Sequence, residues 1–151
     1  MSNKVKEPDL RQLICFNFYK GWRVINNFYS HYLPKGVTPQ QSYILESCHE
    51  NHGTTVSEVA QRLENEMSAI SSMLKRMESA NLIRREVQPD NRRKTSVYLT
   101  PQGAQLRDEI RTAMIEADQI LTGRLSVDEK AILLNIVDNL RSLEHEDRSQ
   151  K

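Results

Sequence analysis

Three consecutive cations, Arg92, Arg93 and Lys94, follow the turn signal Pro89-Asp90-Asn91 and precede the strand-like run 95–99. Guanidinium and ammonium groups at that density suit the neutralisation of phosphates better than any other chemistry. The 151-residue chain carries a net charge of only +1, so these cations are not part of a generally basic surface. Residues 1–67 balance seven cations against seven anions, and residues 101–151 set seven cations against ten anions. Residues 68–100 hold Lys75, Arg76, Arg84, Arg85, Arg92, Arg93 and Lys94 against Glu78, Glu86 and Asp90, a local excess of +4. A basic segment inside a neutral chain is a local electrostatic footprint, and its commonest partner is nucleic acid.

A second constellation lies just upstream. Ser68, Ser71, Ser72 and Lys75 recur at i, i+3, i+4 and i+7, one face of a helix expected over 67–80. Met67, Ile70, Leu74 and Met77, with Met73 beside them, form the opposite, buried face. Serines let a helix backbone approach another surface closely, and their hydroxyls both donate and accept hydrogen bonds. Before it, Thr55-Val-Ser-Glu58 fits a capping box that opens a short helix with Val56, Val59, Ala60 and Leu63 inward. Two short helices across the polar break Glu64-Asn65-Glu66 make a helix-turn-helix, whose second helix enters a DNA major groove N-terminus first. After Asn81, residues 82–87 read as a strand, 88–94 as a turn and 95–99 as a second strand, so the cations stand at a hairpin tip.

The remaining elements frame this core. Residues 8–33 read as one long helix with Leu10, Leu13, Ile14, Val24, Ile25 and Phe28 as its core stripe. Seven of the nine aromatic residues fall between positions 16 and 32, and all of them but Phe28 lie on other faces. A helix apolar nearly all round must be buried nearly all round, which in a small domain points to a second subunit. Thr38 and Pro39 open a helix reaching about Glu50, with Tyr43, Ile44 and Cys48 inward. Thr100-Pro101 repeats that start for a helix carrying Leu106, Ile110, Ala113, Met114, Ala117, Ile120 and Leu121. Ser126 and Glu129 form another capping box, and Ile132, Leu133, Ile136, Val137, Leu140 and Leu143 are expected inward on the last helix. The tail from Glu144 is charged and expected to fray.

The expectation is therefore a mainly α chain with a small β-hairpin wing. A single domain, 1–151, has a winged helix-turn-helix core at 38–100, flanked by dimerisation helices at 8–33 and 101–145. No run of about 18 apolar residues occurs and no secretory leader opens the chain, so a cytoplasmic protein is expected. There is no phosphate-cradling glycine loop, nucleophile elbow or His-Glu-x-x-His pair, which argues against an enzyme and against a cofactor.

The stretch "VSEVAQRLENEMSAISSMLKRMESANLIRREVQPDNRRKTSVYLTPQG" resembles the MarR-type winged-helix transcription regulators. The order and spacing carry the resemblance: Arg76-Met77-Glu78 closing the recognition helix, "NLIRRE", Asp90-x-Arg92-Arg93 in the wing, and Leu99-Thr100 before Gly103. The resemblance implies an obligate homodimer on a pseudo-palindromic double-stranded DNA operator. It also implies that Ser68, Ala69, Ser71, Ser72, Lys75 and Arg76 face the major groove. Asp90 would brace the wing, and Arg92, with Arg93 and Lys94, would meet the minor groove or its phosphates. Many members place a long cation where this chain has Ser72, which implies lighter base contacts here. Members are usually repressors released by a small aromatic ligand, a metal or an oxidant. Cys15, with Tyr29 fourteen residues later, looks like the hydroperoxide-sensing branch, whose second tyrosine position is Pro39 here. The plainer reading is a small buried hydrophobe.

Cys48, His49 and His52 could suit zinc by softness and spacing, but three groups without a second cluster read better as a polar helix end. A winged helix can also serve as a protein-interaction module without DNA; the cationic wing beside a serine-lined helix is what separates the two.

Overall fold

The computed structural model describes residue 7 and residues 9–148, apart from the side chains at positions 92, 93 and 143–148. Two compact units are distinguished, Met1–Met114 and Ile115–Lys151.

In the first unit a 3-10 turn, Leu10–Gln12, capped by the Asp9 carboxylate, precedes helix α1, Ile14–Tyr32. The single helix expected over 8–33 is thus broken at Leu13, whose backbone is extended. Helix α2, Pro39–Ser47, starts where the Thr38-Pro39 pair places it, with a complete capping box between Thr38 and Gln41. It stops at Cys48 rather than Glu50 and buries Leu45 in place of Tyr43, which is exposed. Strand β1, Thr54–Thr55, leads into helix α3, Val56–Arg62. Thr55 ends the strand and caps the helix, its hydroxyl accepting from the Glu58 amide while Glu58 accepts from the Thr55 amide at 2.6 Å. Helix α4, Met67–Ser79, follows the turn at Glu64, a non-glycine residue at positive φ.

Strands β2, Ile83–Gln88, and β3, Asn91–Leu99, are antiparallel, and β1 pairs with the free edge of β3, giving the order β1-β3-β2. The sheet therefore has three strands where a two-stranded hairpin was expected. Two residues are too short a strand to show periodicity, and both of these are threonines that also read as a cap.

The wing tip also differs. Pairing resumes at Gln88↔Asn91, so the turn is Pro89-Asp90 and the cations belong to β3 rather than to a loop over 88–94. The register passes from Val87↔Thr95 directly to Gln88↔Asn91. Residues 92–94 therefore bulge from β3 with no opposite residue on β2.

The core of this unit gathers Ile44, Leu45 and Cys48 of α2, Val59 and Ala60 of α3, Ile70, Leu74 and Met77 of α4, and Ile83, Val97 and Leu99 of the sheet. Ala104 and Ile110 of helix α5, Pro101–Thr122, close it. An Arg111–Glu46 pair with bonds of 3.0 and 2.8 Å ties α5 to α2. Met67, expected inward, is exposed because it lies at the first turn of α4, beyond the reach of this core.

Helix α1 contributes no buried residue. Leu10, Leu13, Ile14 and Val24 of its expected core stripe are exposed, Ile14 at 68%, while Ile25 and Phe28 are half-buried. The N-terminal part of the stripe is thus left uncovered within the chain, and only Ile25 and Phe28 are partly covered. In the second unit helix α6, Val127–Arg148, continues past Glu144, where fraying was expected. The Ser126–Glu129 capping box forms, with bonds of 2.8 and 3.1 Å. Ile132, Leu133, Ile136, Val137 and Leu140, expected inward, are exposed within the chain. Leu143 lies outside the described side chains. Among the described residues no helix is long and apolar enough to cross a membrane.

Candidate nucleic-acid interface

Helix α4 separates its faces as its periodicity requires. Ile70, Leu74 and Met77 are fully buried, while Ser68, Ala69, Ser71, Ser72, Lys75 and Arg76 are all exposed. The Ser72 hydroxyl donates to the Ser68 carbonyl at 3.0 Å, which leaves its oxygen lone pairs for an outside donor. The two halves expected to act together are adjacent: Met67, Ser68 and Ser71 of α4 line one open cleft with Lys94 and Thr95 of β3. Ser57 and Glu58 of α3 form its third side. Glu58 is held below the usual carboxylate range, first by the Thr55 amide and then by its hydroxyl, with His52 and Lys94 adding positive charge nearby.

Not every cation of the basic segment is available to a partner. Arg85 of β2 donates from Nε and Nη2 to Glu78 of α4, at 2.8 and 2.5 Å. Arg84 pairs with Glu86 on its own strand and lies over the Tyr98 ring at 4.2 Å from the centroid. The basic surface thus concentrates on Lys75, Arg76 and the bulge. Lys94 and Asp90 are exposed, and the side chains of Arg92 and Arg93 lie outside the described residues.

Two glycines shape the support of this surface. A Cβ at Gly53 would meet the Tyr98 hydroxyl at 2.7 Å, so β1 is laid against the ring that carries Arg84. Asn81 turns the chain between α4 and β2 at φ 57°, and its carbonyl accepts from the Thr100 hydroxyl at 2.7 Å. That hydroxyl accepts in turn from the Gly103 amide at 3.0 Å, fixing α5 beneath the start of the wing.

The two cysteines differ sharply. Cys48 is fully buried, and burial pushes its thiol up to about 12, so it stays protonated and unreactive. Its neighbours His49 and His52 are exposed, and their rings are 6.1 Å apart. The three do not converge, and no metal-holding group of His, Cys, Asp and Glu occurs among the described residues. Cys15 is exposed near the start of α1 within the single chain. Fourteen residues of continuous helix place Tyr29 about 21 Å away from it, so no contact between them forms within one chain.

A helix-turn-helix with a three-stranded wing, a small polar recognition face and a cationic bulge beside it is a winged-helix domain. Residues 37–95 match the model of the MarR family, and the curated relatives the chain resembles are transcriptional regulators. It is 30% identical over 106 residues to a transcriptional regulatory protein for the hcr operon of Thauera aromatica, covering 70% of this chain and 64% of that protein's length. The fold is that of the PcaV transcriptional regulator from Streptomyces coelicolor in complex with its natural ligand. The TM-score is 0.82 at 16% identity, over 91% of this chain and 98% of that one. Reduced AbfR bound to DNA is similar at a TM-score of 0.69 and 26% identity, over 89% of this chain and 94% of that one.

Proposed function

We propose that the chain is a homodimeric, sequence-specific DNA-binding regulator that acts as a repressor released by a small effector or an oxidant. The observation that carries this reading is the cleft shared by the first turns of α4 and the cationic end of β3. A duplex seated there presents its major groove to Ser68, Ala69, Ser71, Ser72, Lys75 and Arg76. Its backbone then runs toward Asp90, Arg92, Arg93 and Lys94 at the adjacent minor groove. With serines rather than long cations in the groove, much of the affinity comes from phosphates and from DNA shape. The DNA bound to the AbfR relative supports the same partner here.

The dimer is supported by the apolar surface that α1 and α6 each leave exposed. Two-fold symmetry then requires an inverted-repeat operator with half-sites about 10 bp apart or a multiple of that. The exposed Cys15 on α1 supports an oxidant as the releasing signal, with Tyr29 supplied across the dimer. The aromatic residues of α1 leave a small aromatic effector as the other outcome.

The test begins with duplexes selected from a random pool by the reduced full chain, which are expected to share an inverted repeat. Selected sites without two-fold symmetry would overturn the dimeric reading. One equivalent of organic hydroperoxide should then release the wild type at least tenfold while sparing Cys15→Ser. Equal retention by both would rule out the thiol as the signal.

A further inference from the structure

We infer that the Glu78–Arg85 ion pair is a positioning clamp that fixes the wing at its working distance from the recognition helix, although neither residue touches DNA. The inference rests on the DNA-binding reading above and extends it to residues which that reading does not use.

The clamp joins the two parts of the interface. Glu78 lies in the last turn of α4 and Arg85 near the middle of β2, and both guanidinium bonds converge on one carboxylate oxygen. The helix–strand junction itself is held at its vertex by backbone bonds, Ala80 N–H to the Arg76 carbonyl and Leu82 N–H to the Met77 carbonyl, both 3.0 Å. Bonds at a vertex join two elements but constrain the angle between them weakly. Glu78 and Arg85 meet beyond the vertex on both arms, where their contact adds to the shared core of α4 and the sheet in setting the angle. From Arg85 the wing runs five more residues to Asp90, about 16 Å at the rise of a strand, so a small error at the clamp is magnified at the tip.

Charge placement gives a separate reason for the pair. A carboxylate in the last turn of a helix opposes the helix dipole, so Glu78 does not serve α4 alone. It also stands seven residues after Ser71, two turns along the same side of the helix that faces the proposed duplex. Arg85 holds that carboxylate below its ordinary range and neutralises it. Arg84, by contrast, is engaged within the sheet and links no helix to the wing.

The experiment uses the full chain and a duplex that the wild type has selected, with affinity measured over a range of salt concentrations and thermal stability alongside. Arg85→Ala should weaken binding by about tenfold or more, with the plot of log affinity against log salt parallel to that of the wild type, because no phosphate contact is lost. The Glu78→Ala/Arg85→Ala double variant should remain weak, and the exchanged pair Glu78→Arg/Arg85→Glu should recover most of the loss. Wild-type affinity in the double variant would show that Arg85 only shields a carboxylate, and the clamp would be refuted. So would a slope reduced in Arg85→Ala, which would mark Arg85 as a phosphate contact, or a weakening no larger than the loss of folded protein. A wild type that selects no duplex overturns the DNA-binding reading itself, and the clamp falls with it.

Discussion

Gly103→Ala is expected to lower the melting temperature by roughly 10 °C, a loss of about 3 kcal/mol for a chain of this size. Alanine in place of glycine within a helix ordinarily stabilises by about 0.5–1 kcal/mol, so even the sign of the effect is informative. At position 103 the added Cβ would sit 1.9 Å from the Leu82 carbonyl oxygen and 2.9 Å from its carbon. Both are backbone atoms, so no side-chain rotation relieves the overlap. The same carbonyl accepts from the Thr100 amide at 3.1 Å, and the Thr100 hydroxyl bridges the Asn81 carbonyl to the Gly103 amide. Relief therefore means pushing α5 away from the start of β2 and breaking this set of bonds, with the wing's base displaced as a result. Thermal unfolding with an unchanged or raised midpoint would show that α5 does not approach β2 this closely.

Ile136→Asp is expected to leave the chain folded but monomeric at micromolar concentration, with DNA affinity reduced at least 100-fold. Ile136 is 43% exposed on α6, beside Ile132, Leu133, Val137 and Leu140, which are exposed as well. Burying one such side chain contributes about 1.5–3 kcal/mol, and a two-fold interface uses every residue twice. A carboxylate in that patch also carries its desolvation cost into both copies. Because the residue is exposed in the single chain, the substitution has little reason to unfold it. Sedimentation at several concentrations distinguishes the outcomes, and a persistent dimer would move the interface elsewhere. Leu140→Asp, one turn further on, should behave alike.

Local signals carried a large part of this fold. The capping pairs Thr38 with Pro39, Thr55 with Glu58 and Ser126 with Glu129 open helices where they stand, because a cap is a short-range bond that a few residues specify. The two faces of α4 were legible for the same reason, since helical spacing alone separates Ile70, Leu74 and Met77 from the serines. What escaped was set at a distance. Strand β1 exists because Thr54 and Thr55 find Val97 and Ser96 some forty residues later. Asn91 to Lys94 lack strand propensity and are extended because β2 lies opposite the ends of that segment. Apolar spacing on α1 and α6 was plain, but spacing does not say whether a stripe meets its own core or another molecule.

The candidate site divides in the same way. Ser68, Ser71, Lys75 and the wing cations could be read from type and spacing, and the structure brings the start of α4 beside Lys94. That Arg84 and Arg85 are already engaged could not be read, because Glu78 lies seven residues from Arg85 across a helix end. Thr95 and Ser57 reach the cleft only through the pairing of β3 and the cap of α3, and no pattern in the chain marks them.

Whether the surface between α4 and the wing binds duplex DNA is decided by the affinity of the full chain for a selected duplex as salt is raised. Log affinity is expected to fall linearly with log salt, with a slope of about −0.9 for each phosphate neutralised and several phosphates neutralised in all. Lys75→Ala should flatten that slope by about one for each protomer. A slope near zero, or one that Lys75→Ala leaves unchanged, would contradict the placement of DNA on this surface.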